Sequence, residues 1–247
     1  LVVIDAGSNS AWIKALVGLG NYNHAEKVYE SMCKMKNLVR ENHLLSQSID
    51  SGGRSLNSKI YSSDNSLWVQ ALLKLGKKTQ ASGVFDQLYK SNLFKENSLM
   101  AAFTELIGND VCENIYPLSN CLWIDTLLQF GMDKEAHKTY QSMRALENLV
   151  FPNNMVSLGI DKNAKPIFSV MNSYDNALWI QSLTNLGKGD EALKVYESMQ
   201  GLSHLVRENN LVTGNVQRSG SRLSTKLYSG NNASWIQAQL MLGEALR

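Results

Sequence analysis

Apolar and polar positions along this chain recur in blocks with the period of a helix. In "YSSDNSLWVQALLKLG" (Tyr61 to Gly76) the tryptophan and the leucines four and seven residues later share one helical face. "NSYDNALWIQSLTNLG" (Asn172 to Gly187) repeats it in nearly the same words. The five tryptophans, Trp12, Trp68, Trp123, Trp179 and Trp235, are 56, 55, 56 and 56 residues apart. An asparagine stands three residues before each (Asn9, Asn65, Asn120, Asn176, Asn232) and a glycine eight after (Gly20, Gly76, Gly131, Gly187, Gly243). Each block therefore predicts a short helix. Its start falls at Ser8, Asp64, Ser119, Asp175 or Asn231, residue types that accept from free backbone N–H groups. Its stop is a glycine able to turn left-handed.

A second amphipathic helix follows the first four glycines, as in "YNHAEKVYESMCKM" and "GDEALKVYESMQGL". Ala25, Ala81, Ala136 and Ala192 precede an aromatic by four residues (Tyr29, Phe85, Tyr140, Tyr196), a small residue and a ring on one face. The rest of each unit alternates apolar positions with turn formers. Ser51-Gly52-Gly53, Gly108-Asn109-Asp110 and Gly214-Asn215 mark turns of a short strand pair or extended loop. The units run at about 1–60, 61–115, 116–171, 172–227 and a partial 228–247, as a single repeat domain. The last copy ends after its first helix.

On the first helices the face opposite the tryptophans carries a narrow small-then-polar stripe. It includes Lys14, Gln70, Lys74, Cys121, Asp125, Gln129, Gln181, Asn185 and Gln237, flanked by apolar positions such as Ile13 and Val69. A thin polar stripe on a mostly buried helix predicts a wet lumen or groove shared by the five helices; a plain solvated face is the alternative. The tryptophans point away from it and read as core, and the asparagines as groups that cap or tie down the incoming loop.

Composition narrows the function classes. At 247 residues, 44% apolar and 19% charged, with a formal net charge of +2, the chain suits a soluble globular protein. Its charge gives no electrostatic footprint for nucleic acid, and no apolar run is long enough for a membrane span. Cys33, Cys112 and Cys121 are too few for a disulfide framework, and the four histidines lack partners at ligand spacing, so no metal and no cofactor are expected. The opening "LVVIDAGSNS" is unlike a signal peptide and lacks an initiator methionine, the mark of a processed, trimmed or partial chain. The compartment stays open, with a lean to the cytoplasm.

Two resemblances follow from these motifs. "HAEKVYESM" and "DEALKVYESM" resemble the second helix of pentatricopeptide repeats, which bind RNA, but those units are about 35 residues long and here further residues separate the helix pairs. "YSSDNSLWVQALLKLG" and "YDNALWIQSLTNLGKGDEALKVYESM" resemble the Tyr-x-x-Asp-Asn-Ala-Leu and Leu-x-x-x-Gly-x-x-x-x-Ala pattern of α/α-toroid proteins, the six-hairpin glycosidase-like group. That resemblance implies a mainly α fold of helical hairpins with short β-hairpin connections. Four and a half units leave it an incomplete ring, a smaller ring or an open solenoid. It also implies that first helices line a cavity and that the loops entering them form its mouth.

Such families are mostly carbohydrate-active, so glycoside hydrolysis by two carboxyl groups is the first activity implied. Asp64 and Asp175 match the motif's Asp; Asp125 lies in the expected lumen, and Asp5 and Glu113 at the mouth. Asp64, Asp175 and Asp125 are the candidate catalytic acids. Lys14, Gln70, Lys74, Gln129, Gln181 and Gln237 are candidate ligands for the hydroxyls of an oligosaccharide. The plainer reading of Asp64 and Asp175 is as helix caps. The alternative function is a non-catalytic scaffold for a protein partner, suggested by the near-verbatim "LVREN" at Leu38 to Asn42 and Leu205 to Asn209. A self-assembling subunit is the third, with Leu1–Ser10 or another chain covering the last helix.

Overall fold

The repeated tryptophan block folds as a helix that starts about one turn earlier than its sequence suggests. The computed structural model describes residues 3–57, 59–105, 111–168, 170–202, 204–217, 221 and 226–247. The first helices are α1 (Ala6–Gly18), α3 (Ser62–Lys74), α5 (Pro117–Gln129), α7 (Ser173–Asn185) and α9 (Ser229–Ala245). The second helices are α2 (Tyr22–Lys34), α4 (Lys78–Lys90), α6 (Asp133–Arg144) and α8 (Gly189–Gln200). The N-caps are Asp5, Tyr61, Tyr116, Asn172 and Tyr228. Ser8, Asp64, Ser119, Asp175 and Asn231 thus lie inside the first turn, so Asp64 and Asp175 are not caps. Asn172 performs that role for α7, its side chain accepting from Tyr174 N and Asp175 N.

Gly20, Gly76, Gly131 and Gly187 end their helices at φ of 68–75°, the left-handed conformation expected of them. Gly243 is different. Helix α9 runs through it to Ala245.

The connections have an internal logic that the alternation of apolar residues only outlined. Bridges Val39–Leu45, Phe94–Met100, Val150–Val156 and Val206–Val212 each close a tight turn. Asn42, Asn97, Asn153 and Asn209 accept from the backbone two residues on, and the next residue (His43, Ser98, Asn154, Asn210) takes a positive φ. The "LVREN" phrase is therefore a turn device, with Leu38 and Leu205 fully buried beneath it. A second turn follows at Ser51-Gly52-Gly53, as expected, where Asp50 accepts from Gly52 N and Arg54 N. Gly108-Asn109-Asp110 lies outside the described residues. Gly214-Asn215 is not a turn.

The strands pair across the helical hairpin rather than only within the loop. Strand β1 (Val3–Asp5) pairs antiparallel with β2 (Ser48–Asp50), β3 (Lys59–Tyr61) with β4 (Phe103–Glu105), and β5 (Val170–Asn172) with β6 (Asn215–Gln217). Ile4 faces Ile49, and Asn215 faces Asn172. Each strand entering a first helix is thus clamped to the chain leaving the following second helix. Of the leading segment, Val3–Ser10 is used in this way by β1 and the start of α1, so these residues are not a spare lid.

The chain forms two compact units. One comprises Leu1–Glu96 with Met100–Glu113; the other comprises Asn97–Leu99 with Asn114–Arg247. In the first, α3 packs on α1 and α4, and α1 on α2. In the second, α7 packs on α5, α8 and α9, and α5 on α6.

Trp68, Trp123, Trp179 and Trp235 are core, as expected, and Trp12 is not, at 52% exposed. The ring that covers a tryptophan comes from the preceding second helix. Tyr29 stacks on Trp68 at 5.8 Å, Tyr140 on Trp179 at 5.9 Å and Tyr196 on Trp235 at 5.2 Å. The repeated asparagine ties down the incoming loop. Asn65 accepts from Leu45 N and donates to Leu45 O; Asn176 does the same with Val156, and Asn232 with Val212.

Candidate active site

Helix α3 carries Asp64 into the first unit, where the start of α1 approaches it closely. Gly7 makes this approach possible: a Cβ there would lie 2.7 Å from Asp64 Oδ1 and 3.6 Å from Asp5 Oδ1. The two carboxylates therefore flank one point, a second acid that the sequence placed at the mouth but not among the catalytic candidates. The glycine two residues after Asp5 was the available signal. Asp5 is held by its helix, accepting from Ser8 N at 2.7 Å. Among the described residues Asp64 receives only a long contact of 3.4 Å from Ser63 Oγ. Burial, with the Asp5 charge beside it, pushes Asp64 up to about 7.

In the second unit Asp175 occupies the equivalent first-turn position of α7. No donor reaches its carboxyl oxygens among the described residues, and burial alone pushes it up to about 7. Asp50 provides the contrast at the same 4% exposure. There the backbone N–H and guanidinium of Arg54, with Gly52 N, hold the carboxyl below its usual range. A buried carboxyl in this fold can be held below its usual range, as Asp50 is; Asp64 and Asp175 are pushed the other way. The thiol of Cys121, buried in the same unit, is pushed well up by burial, with the charges of Asp125 and Asp175 adding to it. All three cysteines are free.

The polar stripe runs from buried to exposed along α1, α3, α5 and α7, with Gln70 itself buried. Ser10, Ser66, Cys121 and Ala177 are buried; Lys14, Asp125 and Gln181 are half-buried; Lys74, Gln129 and Asn185 are exposed. Its middle residues join neighbouring first helices instead of standing free. In the first unit Lys14 Nζ donates to Gln70 Oε1. In the second, Asn185 Nδ2 donates to Asp125 Oδ1 at 3.1 Å and Gln181 Nε2 to Ser234 O at 2.9 Å. Gln237 is exposed on α9. Among the described residues no group of three or more His, Cys, Asp or Glu could hold a metal ion, and no helix is long and apolar enough to cross a membrane.

Helical hairpins of this period, three of them clamped by a strand pair, make an α/α-toroid fold. Solved structures sharing it cover nearly all of the chain. The chain is similar to a D-mannose isomerase (TM-score 0.80, 11% identity, 98% of this chain and 70% of that one). It is similar to the cellobiose 2-epimerase of Bacillus thermoamylovorans (0.75, 10%, 99% and 72%). It is also similar to a GH8 endo-β-1,4-glucanase from an Achatina fulica gut metagenomic library (0.69, 14%, 98% and 81%). At these identities the likeness is one of fold. A PPR repeat model matches residues 10–37 and 178–204, which fall on the α1–α2 and α7–α8 hairpins. No curated protein sequence matches the chain.

Proposed function

We propose that this protein is a carbohydrate-active enzyme of the glycosidase-like type, acting on an oligosaccharide, with Asp64 in the first unit and Asp175 in the second each a candidate acid. One observation carries the reading. Two copies of the repeat place a carboxyl group in the first turn of a first helix, desolvated and without a cation among the described residues, where the other copies have Ser8, Ser119 and Asn231. A buried carboxyl without donors is costly to the fold, and such groups concentrate at functional sites. An acid titrating near neutral pH can donate a proton to a leaving oxygen and take one back. Asp5 stands beside Asp64 as the second carboxyl of a pair. Asp125, polarised by Asn185, is a further acceptor. Lys14, Gln70 and Lys74, with Gln129, Gln181 and Gln237, offer donors and acceptors suited to sugar hydroxyls. The named activities of the similar structures, isomerase, epimerase and glucanase, support the substrate class.

The test is conversion of a panel of mannose- and glucose-based mono- and oligosaccharides, followed chromatographically for hydrolysis and for isomerisation. Asp64→Asn and Asp175→Asn are expected to lower conversion by about 100-fold or more while remaining folded, the range for loss of a general acid or base. No conversion of any sugar, together with a melting temperature unmoved by millimolar sugar, would overturn the reading.

A further inference from the structure

An open groove of about 600 Å³ lies on α1 and α2, lined among others by Asn9, Trp12, Leu16, Leu19, Val28 and Met32. Trp12 is 52% exposed there and Leu19 79%, although Trp68, Trp179 and Trp235 are at most 1% exposed in the same register. What covers the equivalents is known three times over. A second helix of the repeat lays its tyrosine on the indole. In the second unit the backbone carbonyl twenty-five residues before the tryptophan accepts its Nε1–H, as Asn154 O does for Trp179 and Asn210 O for Trp235. The asparagine then pairs with a loop residue twenty before it, through both its amide oxygen and its nitrogen. Asn9 keeps only its bond to Asp5 O among the described residues, so its amide oxygen has no donor. An amide oxygen without a donor and an unstacked indole thus stand side by side among the described residues, in the register where other first helices receive a helix and a turn.

We propose that this groove binds one further second helix and turn of the same repeat type, carried by polypeptide outside residues 1–247. The occupant needs an alanine four residues before an aromatic, then the Leu-x-x-x-Asn turn. The ring stacks on Trp12, the turn carbonyl takes its Nε1–H, and the following loop residue pairs with Asn9. In a second copy of this chain α2, α6 and α8 are not available to fill the groove, because Tyr29, Tyr140 and Tyr196 are already seated on Trp68, Trp179 and Trp235. The proposal does not rest on the carbohydrate reading.

The experiment joins a copy of residues 133–167 directly ahead of Leu1 in the full chain. This sets the copied Tyr140 as far from Trp12 as Tyr140 stands from Trp179. Acrylamide quenching of tryptophan emission reads mainly Trp12, the exposed one of the five. Quenching is expected to fall to the level of the Trp12→Phe variant of the unextended chain, with a higher melting temperature. A second extension, residues 189–223, guards against a copy that fails to fold. If both extensions leave quenching unchanged, the proposal is overturned. It is also overturned if the unextended chain protects Trp12 as its own concentration rises, since a second copy would then be the occupant.

Discussion

Asp175 makes a measurable contribution to the pH dependence of stability, and its sign is opposite to that of an ion-paired carboxylate. Its folded value, about 7, lies above the unfolded value of about 3.9. Between those limits the folded protein binds the proton more tightly than the unfolded chain, so stability falls as pH rises from about 4 to about 7 and is level above that. The full loss is on the order of 2–4 kcal/mol, since each tenfold change in proton affinity is worth roughly 1.4 kcal/mol. Asp175→Asn, which keeps the shape of the neutral acid, should match the wild type at pH 4 and exceed its stability at pH 8. Urea unfolding at both pH values checks this; equal stability at pH 8 would show that the carboxyl finds solvent or a donor. A variant that gains stability and loses activity together is the signature of a residue kept for function. Gly7→Ala is a second residue-scale test. Its Cβ would press on Asp64 Oδ1, and a cost of about 1–3 kcal/mol is expected by thermal or urea unfolding, as for an overpacked core.

Between helices, the asparagine on each first helix decides how firmly a loop is held. Asn176→Ala would leave both the N–H and the carbonyl of Val156 without their partner in a buried setting. At about 1–3 kcal/mol for each buried group left unpaired, a loss of roughly 2–4 kcal/mol is expected on urea unfolding. Asn9→Ala removes one bond at a half-buried site and should cost about 1 kcal/mol or less. Equal costs for the two substitutions would mean that the loop clamp contributes nothing. The same elements show what periodicity could and could not reveal. Four of the five glycine stops were legible because the left-handed turn leaves few alternatives to glycine. The starts were misplaced by a turn because the first turn is itself rich in Ser, Asp and Asn, the residue types of a cap. Tyr61, Tyr116 and Tyr228 stand at the true cap without a side-chain hydrogen bond; strand β3 fixes the chain at Tyr61, and single bridges, Ile115–Ile160 and Thr213–Leu227, fix it just before the other two. Pairing of β1 with β2 joins residues more than forty apart, a relation no local pattern encodes.

For the molecule as a whole, the helical-hairpin fold was legible in the sequence and the pairing of its polar groups was not. Five tryptophans at one spacing specify helical hairpins of the toroid type. They do not reveal that the stripe residues would bond to one another, as Lys14 does to Gln70, because helix neighbours are a property of packing. Nor do they distinguish an acid with donors, such as Asp50, from one without, such as Asp175. Repeat arrays gain stability from neighbour contacts, so their ends open first. Helix α1 and its C-cap expose Trp12 and Leu19, and α9 and its C-cap expose Ile236, Leu240 and Leu246. Native-state hydrogen exchange should find α1 and α9 exchanging at lower free energy than α7, which is flanked by α5, α8 and α9. Uniform protection across the three helices would contradict this.

The stacking of Tyr140 on Trp179 and of Tyr196 on Trp235 also sets where this protein can be cut and rejoined. The helical hairpin is the obvious module, yet its tryptophan is sheltered by the hairpin before it. The self-sufficient cassette is shifted by half a period: a second helix, its turn, and the first helix that follows. Recombination at the glycine that ends a first helix would carry each indole along with its own cover. Recombination at the loops would hand every graft a bare indole at one edge.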